Sequence, residues 1–244
     1  MSKIELSFIC ILTLIWGSWF YRKYVKTFFG TKKRLSWLAQ QQQNKKIRSV
    51  LVILEKLYQN TNSHRTAKLA KIRRGITEDS FLYGEVDFLT LIALLTYCQP
   101  TEHDVFYDLG SGAGKAVFSA ALCFPIRKSI GIELMPELVS LAKNILAEYQ
   151  KTGHAKNNKC EIQFEQADIL QRPFSDATII FINATAFKGQ LWKNIEDRLY
   201  ALPIGARVIL TTHQLSSSYF KLIYSGTEVM SWGMNSAFVF EKIK

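Results

Sequence analysis

Apolar positions divide the chain into three parts that differ in periodicity. Residues 6–21 form an uninterrupted apolar run, whereas residues 47–58 repeat apolar side chains every three or four positions. The second pattern predicts a helix of about four turns, because positions i, i+3, i+4 and i+7 share one face of an α-helix. After residue 80, short apolar runs alternate with amphipathic stretches. The chain therefore begins with an apolar and helical part and continues as an alternation of strands and helices.

The alternating part predicts an α/β fold. Its predicted helices span 86–98, 114–124, 136–149 and 190–201, and its predicted strands span 105–109, 129–134, 161–166, 178–182, 207–212, 227–231 and 237–241. Strands that alternate with helices form a parallel sheet with helices on both faces, and the series closes with two strands in succession. We therefore predict a doubly wound, mostly parallel seven-stranded sheet, preceded by an α-helical N-terminal region.

The formal net charge of +11 over 244 residues is concentrated in the N-terminal third. Residues 1–80 hold 16 Lys and Arg against 4 Asp and Glu, whereas residues 81–244 hold 15 against 16. We accordingly divide the chain into an apolar segment with a basic flank (1–34), a basic helical leader (35–80) and the main domain (81–244). The hydrophobic fraction of 48% and the charged fraction of 21% are typical of a folded protein and exclude a disordered one.

The apolar run of residues 6–21 has the features of a membrane segment. Its 16 uncharged residues would span roughly 24 Å as a helix, somewhat less than the hydrocarbon core of a bilayer. Aromatic side chains at its C-terminal end and six Lys and Arg residues at 22–34 are typical of a cytoplasmic flank. Residues 6–34 therefore predict a membrane anchor, with the main domain facing the cytoplasm. A helix lying on the membrane surface and a soluble intracellular protein are the alternatives.

A second basic cluster lies at residues 60–74, which show no clear apolar stripe. One interpretation is a solvated linker. The other is that residues 64–74 contact an acidic partner, such as a nucleosome or a nucleic acid, because clusters of Lys and Arg bind polyanions.

A strand that ends in a glycine turn marks the candidate ligand site. Gly110, Gly112 and Gly114 follow the first predicted strand of the main domain, where glycine permits unusual dihedral angles and close approach of a ligand. Glu133, at the end of the next strand, can accept hydrogen bonds from both hydroxyls of a ribose. Asp108 would repel the pyrophosphate of a dinucleotide but suits an ammonium group. We therefore predict S-adenosyl-L-methionine as the cofactor, with its aminocarboxylate at this turn.

A third element of the site follows the strand predicted at 161–166. Asp168 can accept a hydrogen bond from the adenine amino group, while Ile169 packs on the base. Capping of a helix is an equally compatible role for Asp168.

Six short segments resemble the successive motifs of the disruptor-of-telomeric-silencing methyltransferases, which are histone-lysine enzymes with a class I fold and no SET domain. The segments are Tyr83-Gly-Glu85, Asp108-Leu-Gly-Ser-Gly-Ala-Gly114, Gly131-Ile-Glu133, Ala167-Asp168, Ile180-Phe-Ile-Asn-Ala-Thr-Ala-Phe187 and Ser231-Trp-Gly233. The glycine motif is common to class I methyltransferases, whereas the first and fifth segments are specific to the family. The resemblance covers residues 83–244 and implies a sheet of class I type, S-adenosyl-L-methionine as cofactor and a protein substrate with a target lysine.

The resemblance also implies a role for individual residues. Those assigned to the cofactor are Tyr83, Gly84 and Glu85 in a loop over it, Asp108, Gly110, Ser111, Gly112 and Gly114 at the aminocarboxylate, Glu133 at the ribose, and Asp168 and Ile169 at the adenine. Those assigned to catalysis, around the channel for the target lysine, are Asn183, Phe187 and Tyr83.

Three positions depart from the family pattern. Ala184 replaces a second Asn, Ile169 replaces an aromatic residue, and Phe238 or Phe240 occupies the place of a tyrosine near the lysine. The two phenylalanines, with Phe181 and Phe187, are candidates for an apolar channel wall or for the core. Two further functions are therefore compatible with the sequence: an anchored lysine methyltransferase acting on a non-histone membrane protein, and a scaffold that binds the cofactor without catalysis.

Several classes of protein are disfavoured by what the sequence lacks. Its four cysteines form no CxxC pair and no metal-ligand spacing, so neither a disulfide framework nor a metal site is predicted. An Asn-Pro-Pro-Tyr segment and a Pro-Cys nucleophile are absent after the strand at 178–182, which disfavours methylation of adenine, glutamine or cytosine C5.

Overall fold

The structure is a computed structural model that describes residues 44–75, 84–216, 218–231 and 233–244. A seven-stranded sheet lies at the centre of these residues. Its strands are β1 (Val105–Leu109), β2 (Lys128–Glu133), β3 (Glu161–Gln166), β4 (Ile179–Ile182), β5 (Arg207–Thr211), β6 (Phe220–Met230) and β7 (Gly233–Lys242). The order across the sheet is β3-β2-β1-β4-β5-β7-β6. The first five strands are parallel, whereas β7 is antiparallel to both of its neighbours. The predicted fold class is confirmed.

Helices cover both faces of this sheet. They are α1 (Lys45–Tyr58), α2 (Ser63–Arg73), α3 (Phe88–Cys98), α4 (Lys115–Cys123), α5 (Pro136–Gln150), α6 (Gly153–Lys156) and α7 (Gly189–Leu199), with a 3₁₀ turn at Ala184–Ala186. β1 is buried along its whole length. Its Tyr107 belongs to the core cluster that contains α7, whereas Phe106 belongs to the cluster that contains α3 and α4. The sheet is thus doubly wound, as the alternating pattern predicts.

Most predicted elements begin and end within two residues of the observed ones, but the closing strand pair was predicted too short. β6 has eleven residues and β7 has ten, where the sequence indicated 227–231 and 237–241. Two features explain the error: β6 exposes Leu222 and Ile223, and its register with β7 shifts between Leu222 and Tyr224. The alternation of apolar and polar residues is therefore interrupted, while pairing with β7 still holds the strand.

The basic segment at 60–74 forms a helix over Ser63–Arg73 although its sequence shows no clear apolar stripe. Asn62 caps α2 by accepting a hydrogen bond from the backbone N–H of Arg65 at 2.8 Å. The buried face of α2 consists of small residues, among them Ala67 and Ala70, which pack with residues at the start of α5. Small side chains give little hydropathic contrast, so the amphipathic pattern was hidden.

α1 packs against the same core as the sheet. Val50, Leu54 and Tyr58 are buried in a cluster with residues of α4 and α5, and residues 46–244 form one compact unit. The boundary predicted between residues 80 and 81 therefore does not separate two packed units in the described part of the chain.

Two predictions concern residues outside the described ranges. The membrane segment at 6–34 and the loop residue Tyr83 both fall there. Among the described helices, none is long and apolar enough to cross a membrane.

Candidate active site

A cavity of about 300 Å³ opens beside the carboxyl ends of β1, β2 and β4. Parallel strands end at the same sheet edge, so the side chains that follow them meet there. The predicted site residues that line the cavity are Gly84, Glu85, Asp108, Gly110, Ser111, Gly112, Glu133, Asp168, Ile169, Asn183 and Phe187. Gly114 does not line it, and Tyr83 lies outside the described residues.

Backbone hydrogen bonds join the glycine loop to the neighbouring strand β2. The N–H groups of Gly110 and Ser111 both donate to the carbonyl of Ile132, at 2.8 and 3.0 Å. Gly110 has a φ of 86°, and a Cβ at this position would lie 3.3 Å from the Phe187 ring. Side chains other than hydrogen are therefore disfavoured by both backbone strain and close packing.

Gly114 lies at the end of the glycine loop, where the backbone packs against β3. Its φ is 87°, and an added Cβ would overlap the ring of Phe164 on β3. This glycine permits close contact between α4 and the sheet rather than approach of a ligand.

Glu133 connects the glycine loop to the start of α5. Its carboxylate accepts one hydrogen bond from the N–H of Gly112 and another from the N–H of Met135, both at 2.9 Å. Burial raises the pKa of this carboxyl, and the backbone donors partly oppose the rise. The charge is therefore partly buried next to the cavity and is stabilised by fixed backbone dipoles.

Asp108 has no such support. It is buried at the end of β1, and no described residue forms a hydrogen bond or ion pair with its carboxyl group. Burial, followed by the nearby charge of Glu133, raises the pKa of Asp108 well above its ordinary value. The hydroxyl of Ser111 is also buried without a hydrogen-bond partner among the described residues. A ligand with a cationic, hydrogen-bonding group would satisfy both side chains, so the site fits an aminocarboxylate.

Asp168 lies in the turn that follows β3. Its Oδ1 accepts a hydrogen bond from the N–H of Leu170 at 2.8 Å, and its carbonyl accepts from the N–H groups of Gln171 and Arg172. It therefore stabilises the turn after β3 and also lines the cavity beside Ile169.

Asn183 fastens the segment at Gly84 to the sheet. Its Nδ2 donates to the carbonyl of Gly84 at 3.0 Å. Its Oδ1 accepts from the hydroxyls of Thr185 and Thr211, at 3.1 and 2.9 Å. The amide is thus oriented by neighbours on both sides, and its clearest function in the structure is to position Gly84 and Glu85.

Residues from the far end of the chain hold the same segment. The N–H of Glu85 donates to the Ser231 hydroxyl and the N–H of Ser231 donates to the carbonyl of Glu85, both at 3.2 Å. On the cavity side, Glu85 pairs with Lys115, whose Nζ lies 2.5 Å from Oε2. Lys115 was not predicted, although a Lys directly after the glycine turn could have indicated it.

The four phenylalanines considered for the channel separate into two groups. Phe181 and Phe187 line the cavity. Phe238 and Phe240 lie on β7 in the core cluster that includes α7, and neither lines the cavity. The core interpretation is therefore the one that fits Phe238 and Phe240.

The strand order, the glycine loop between β1 and α4 and the acidic residues at the ends of β1 to β3 define a class I S-adenosylmethionine-dependent methyltransferase. Residues 58–235 match the family model "Histone methylation protein DOT1", so the chain belongs to the DOT1 family. The match includes α2, the first six strands of the sheet and the beginning of β7.

Curated relatives carry the same family signature. The chain is 31% identical to "Histone-lysine N-methyltransferase, H3 lysine-79 specific" of Caenorhabditis elegans over 170 residues, which are 67% of this chain and 18% of that protein. The Drosophila melanogaster protein of the same name is 29% identical over 133 residues, 52% of this chain and 7% of that protein. The chain therefore covers less than a fifth of the length of either relative.

Solved structures support the fold. An RNA methyltransferase from Salinibacter ruber matches with a TM-score of 0.50 and 24% identity, over 63% of this chain and 90% of that one. TrmN from Thermus thermophilus matches with a TM-score of 0.52 and 22% identity, over 68% and 52% respectively.

The buried charge of Asp108 leads to a test that separates stability from binding. Because the folded-state pKa of Asp108 is raised, the stability of the unliganded fold falls as the pH rises from about 4, where the carboxyl of the unfolded chain ionises, until the pH passes the raised pKa. Asp108→Asn is therefore expected to raise Tm at neutral pH by about 2–4 °C and to weaken S-adenosylmethionine binding at least about tenfold.

Calorimetry and thermal melts across pH measure both effects, with Asp197→Asn on the exposed face of α7 as the matched control. Wild-type binding should strengthen as the pH rises through the raised pKa of Asp108, and this dependence should disappear in the Asn variant. A lower Tm for unliganded Asp108→Asn would contradict the interpretation.

Proposed function

We propose that this protein is a protein-lysine N-methyltransferase that transfers a methyl group from S-adenosylmethionine to lysine 79 of histone H3. The observation that carries the proposal is the DOT1 family match over residues 58–235, which contain every described residue that lines the cavity. Relatives that share this region are named as H3 lysine-79 methyltransferases. The histone and the lysine are extended to this chain from them.

The residues at the glycine loop would hold the cofactor. Asp108 and Ser111 would bind its ammonium and carboxylate groups, since both lack partners among the described residues. Glu133 has lone pairs beyond those used by its two backbone donors and would accept from the ribose hydroxyls. Asp168 and Ile169 would contact the adenine. Bound S-adenosylmethionine would supply an electrophilic methyl group on a sulfonium.

Positioning and desolvation would provide most of the rate acceleration by the protein itself. Phe181 and Phe187 give the cavity an apolar wall, and burial beside such a wall favours the neutral, nucleophilic form of a lysine amine. Asn183 would keep Gly84 and Glu85 in place, because its amide donates to Gly84. Asn183 and Phe187 would border the lysine channel. Accurate placement of an amine can account for large rate effects.

Methylation of nucleosomes tests the proposed activity and the role of Asn183 together. We expect the full chain to methylate H3 lysine 79 in reconstituted nucleosomes, detected by mass spectrometry. Asn183→Ala should lower the rate by about 10- to 100-fold through loss of Gly84 positioning. Asn194→Ala, on α7 and outside the cavity lining, serves as control.

Two results would reject this function. Methylation of proteins in a membrane fraction, without methylation of nucleosomes, would favour a membrane protein as the substrate. Cofactor binding without methylation of either fraction would favour a non-catalytic scaffold.

We further propose that α2 contacts an acidic partner, with a nucleosome as the partner that the proposed substrate favours. The helix buries its alanines and exposes Arg65 and Lys68. Only Glu55 opposes nine Lys and Arg in residues 44–75. This part of the chain is therefore strongly basic, whereas the sheet domain is nearly neutral.

The double variant Arg65→Ala/Lys68→Ala should weaken nucleosome binding. If both side chains contact phosphates, the slope of log K against log salt should fall in magnitude by about 2. Lys156→Ala/Lys159→Ala removes two exposed charges elsewhere and should leave the slope unchanged. An equal effect of both double variants would point to net charge rather than to an α2 contact.

Membrane association through residues 6–34 is a separate proposal, with the main domain on the cytoplasmic side. It is supported by the uncharged run at 6–21, its aromatic end and the six basic residues that follow. Each basic residue near an anionic leaflet contributes about 1 kcal/mol.

Flotation of the full chain with phosphatidylserine vesicles tests this proposal. We expect binding that Leu12→Asp/Leu14→Asp abolishes, because charged side chains are costly in the bilayer. Val52→Asp, at an exposed position of α1, should still float. Binding that is lost in high salt would indicate surface attachment, and no binding by the wild type would reject the proposal.

A further inference from the structure

Lys115 carries the single positive charge among the described residues that line the cavity. The same lining contains four acidic residues: Glu85, Asp108, Glu133 and Asp168. An acidic wall favours a cationic ligand, and a lone ammonium group opposes this preference. The position of Lys115 therefore bears on which charge state of a ligand the cavity prefers.

Lys115 is held in place from two directions. Its Nζ lies 2.5 Å from Oε2 of Glu85 and 5.2 Å from the centroid of the Tyr58 ring. Tyr58, at the end of α1, is buried, and its hydroxyl donates to the carbonyl of Ala113 in the glycine loop at 2.7 Å. α1, the glycine loop and the segment at Glu85 thus converge on one ammonium group.

The loop itself has few remaining donors for an anion. The N–H groups of Gly110 and Ser111 donate to Ile132, that of Gly112 donates to Glu133, and that of Gly114 donates to Ser111. The ammonium of Lys115, at the positive end of α4, is the charged donor nearest in sequence to this loop. Solvent screens the ion pair only in part, since the side chain of Lys115 is 42% exposed but that of Glu85 is 13% exposed.

We propose that Lys115 determines how strongly the cavity discriminates between S-adenosylmethionine and S-adenosylhomocysteine, an inference that rests on the proposed cofactor. The two ligands differ in charge at sulfur, because the first is a sulfonium cation and the second a neutral thioether. Lys115 neutralises Glu85 and so lowers the preference of the acidic wall for the cation. The protein consequently retains affinity for its product and responds to product accumulation.

Calorimetric titration of both ligands into the wild type, two single variants and their double variant tests the proposal. In Lys115→Met, the Kd for S-adenosylhomocysteine divided by the Kd for S-adenosylmethionine should rise about tenfold. This is the effect expected when one unit charge is removed from a partly screened cavity. Glu85→Gln should shift the ratio in the opposite direction. The double variant should return close to the wild-type ratio. If Lys115→Met does not fold, Glu85→Gln alone still reports the sign.

Two controls separate charge from structure. Lys151→Met breaks a surface ion pair with Glu148 and should leave both Kd values unchanged. Tyr58→Phe keeps the ring beneath Lys115 but removes the hydrogen bond to Ala113, so both Kd values should rise together while their ratio stays constant. Thermal melts of each variant verify folding.

The outcomes distinguish this inference from the proposed function. Wild-type binding of both ligands with an unchanged ratio in folded Lys115→Met and Glu85→Gln would overturn the role of Lys115 and leave the methyltransferase assignment intact. Wild-type protein that binds neither ligand would overturn both.

Discussion

The carboxylate of Glu133 is the interaction on which the geometry of the cavity depends. By accepting from Gly112 and Met135, it joins the glycine loop after β1 to the beginning of α5. The loop is also fastened to Ile132 through two backbone hydrogen bonds. Even partial burial of a carboxylate is costly unless donors contact it, and here the donors are the backbone N–H groups of Gly112 and Met135. This wall of the cavity is therefore held by contacts within the protein itself.

Asp108 lies in the same cavity wall as Glu133, but no backbone donor in the described part of the chain stabilises its carboxylate. Its charge is buried close to Glu133 without a protein partner among the described residues. Such a group lowers the stability of the unliganded fold, and a cationic ligand recovers part of this cost on binding. Lys115, the single basic residue among the described lining residues, forms an ion pair with Glu85. The electrostatics of the site are thus complementary to a cationic group.

The segment at Gly84 and Glu85 shows how distant parts of the chain form one wall. Asn183 donates to Gly84, Ser231 exchanges two hydrogen bonds with Glu85, and Val86 forms a bridge with Met230. The same region is tied to α3, because the hydroxyl of Thr90 donates to the carbonyl of Val229. The long closing hairpin therefore has a function in the site: it supports the segment that faces the cofactor cavity.

Local patterns determined the parallel part of the sheet and the acidic glycine site. Strands buried on both faces, such as β1, are continuous apolar runs, and Gly110, Asp108 and Glu133 lie at their ends, so their chemistry and position are encoded together. Tertiary structure alone decided the length of β6, the packing of α2 and the contacts of Lys115 with Tyr58 and Glu85. These features depend on strand pairing, on small residues in a buried face and on contacts between segments far apart in the chain. The sequence states which groups are present, but proximity across the fold determines which of them share a charge, a hydrogen bond or a ligand.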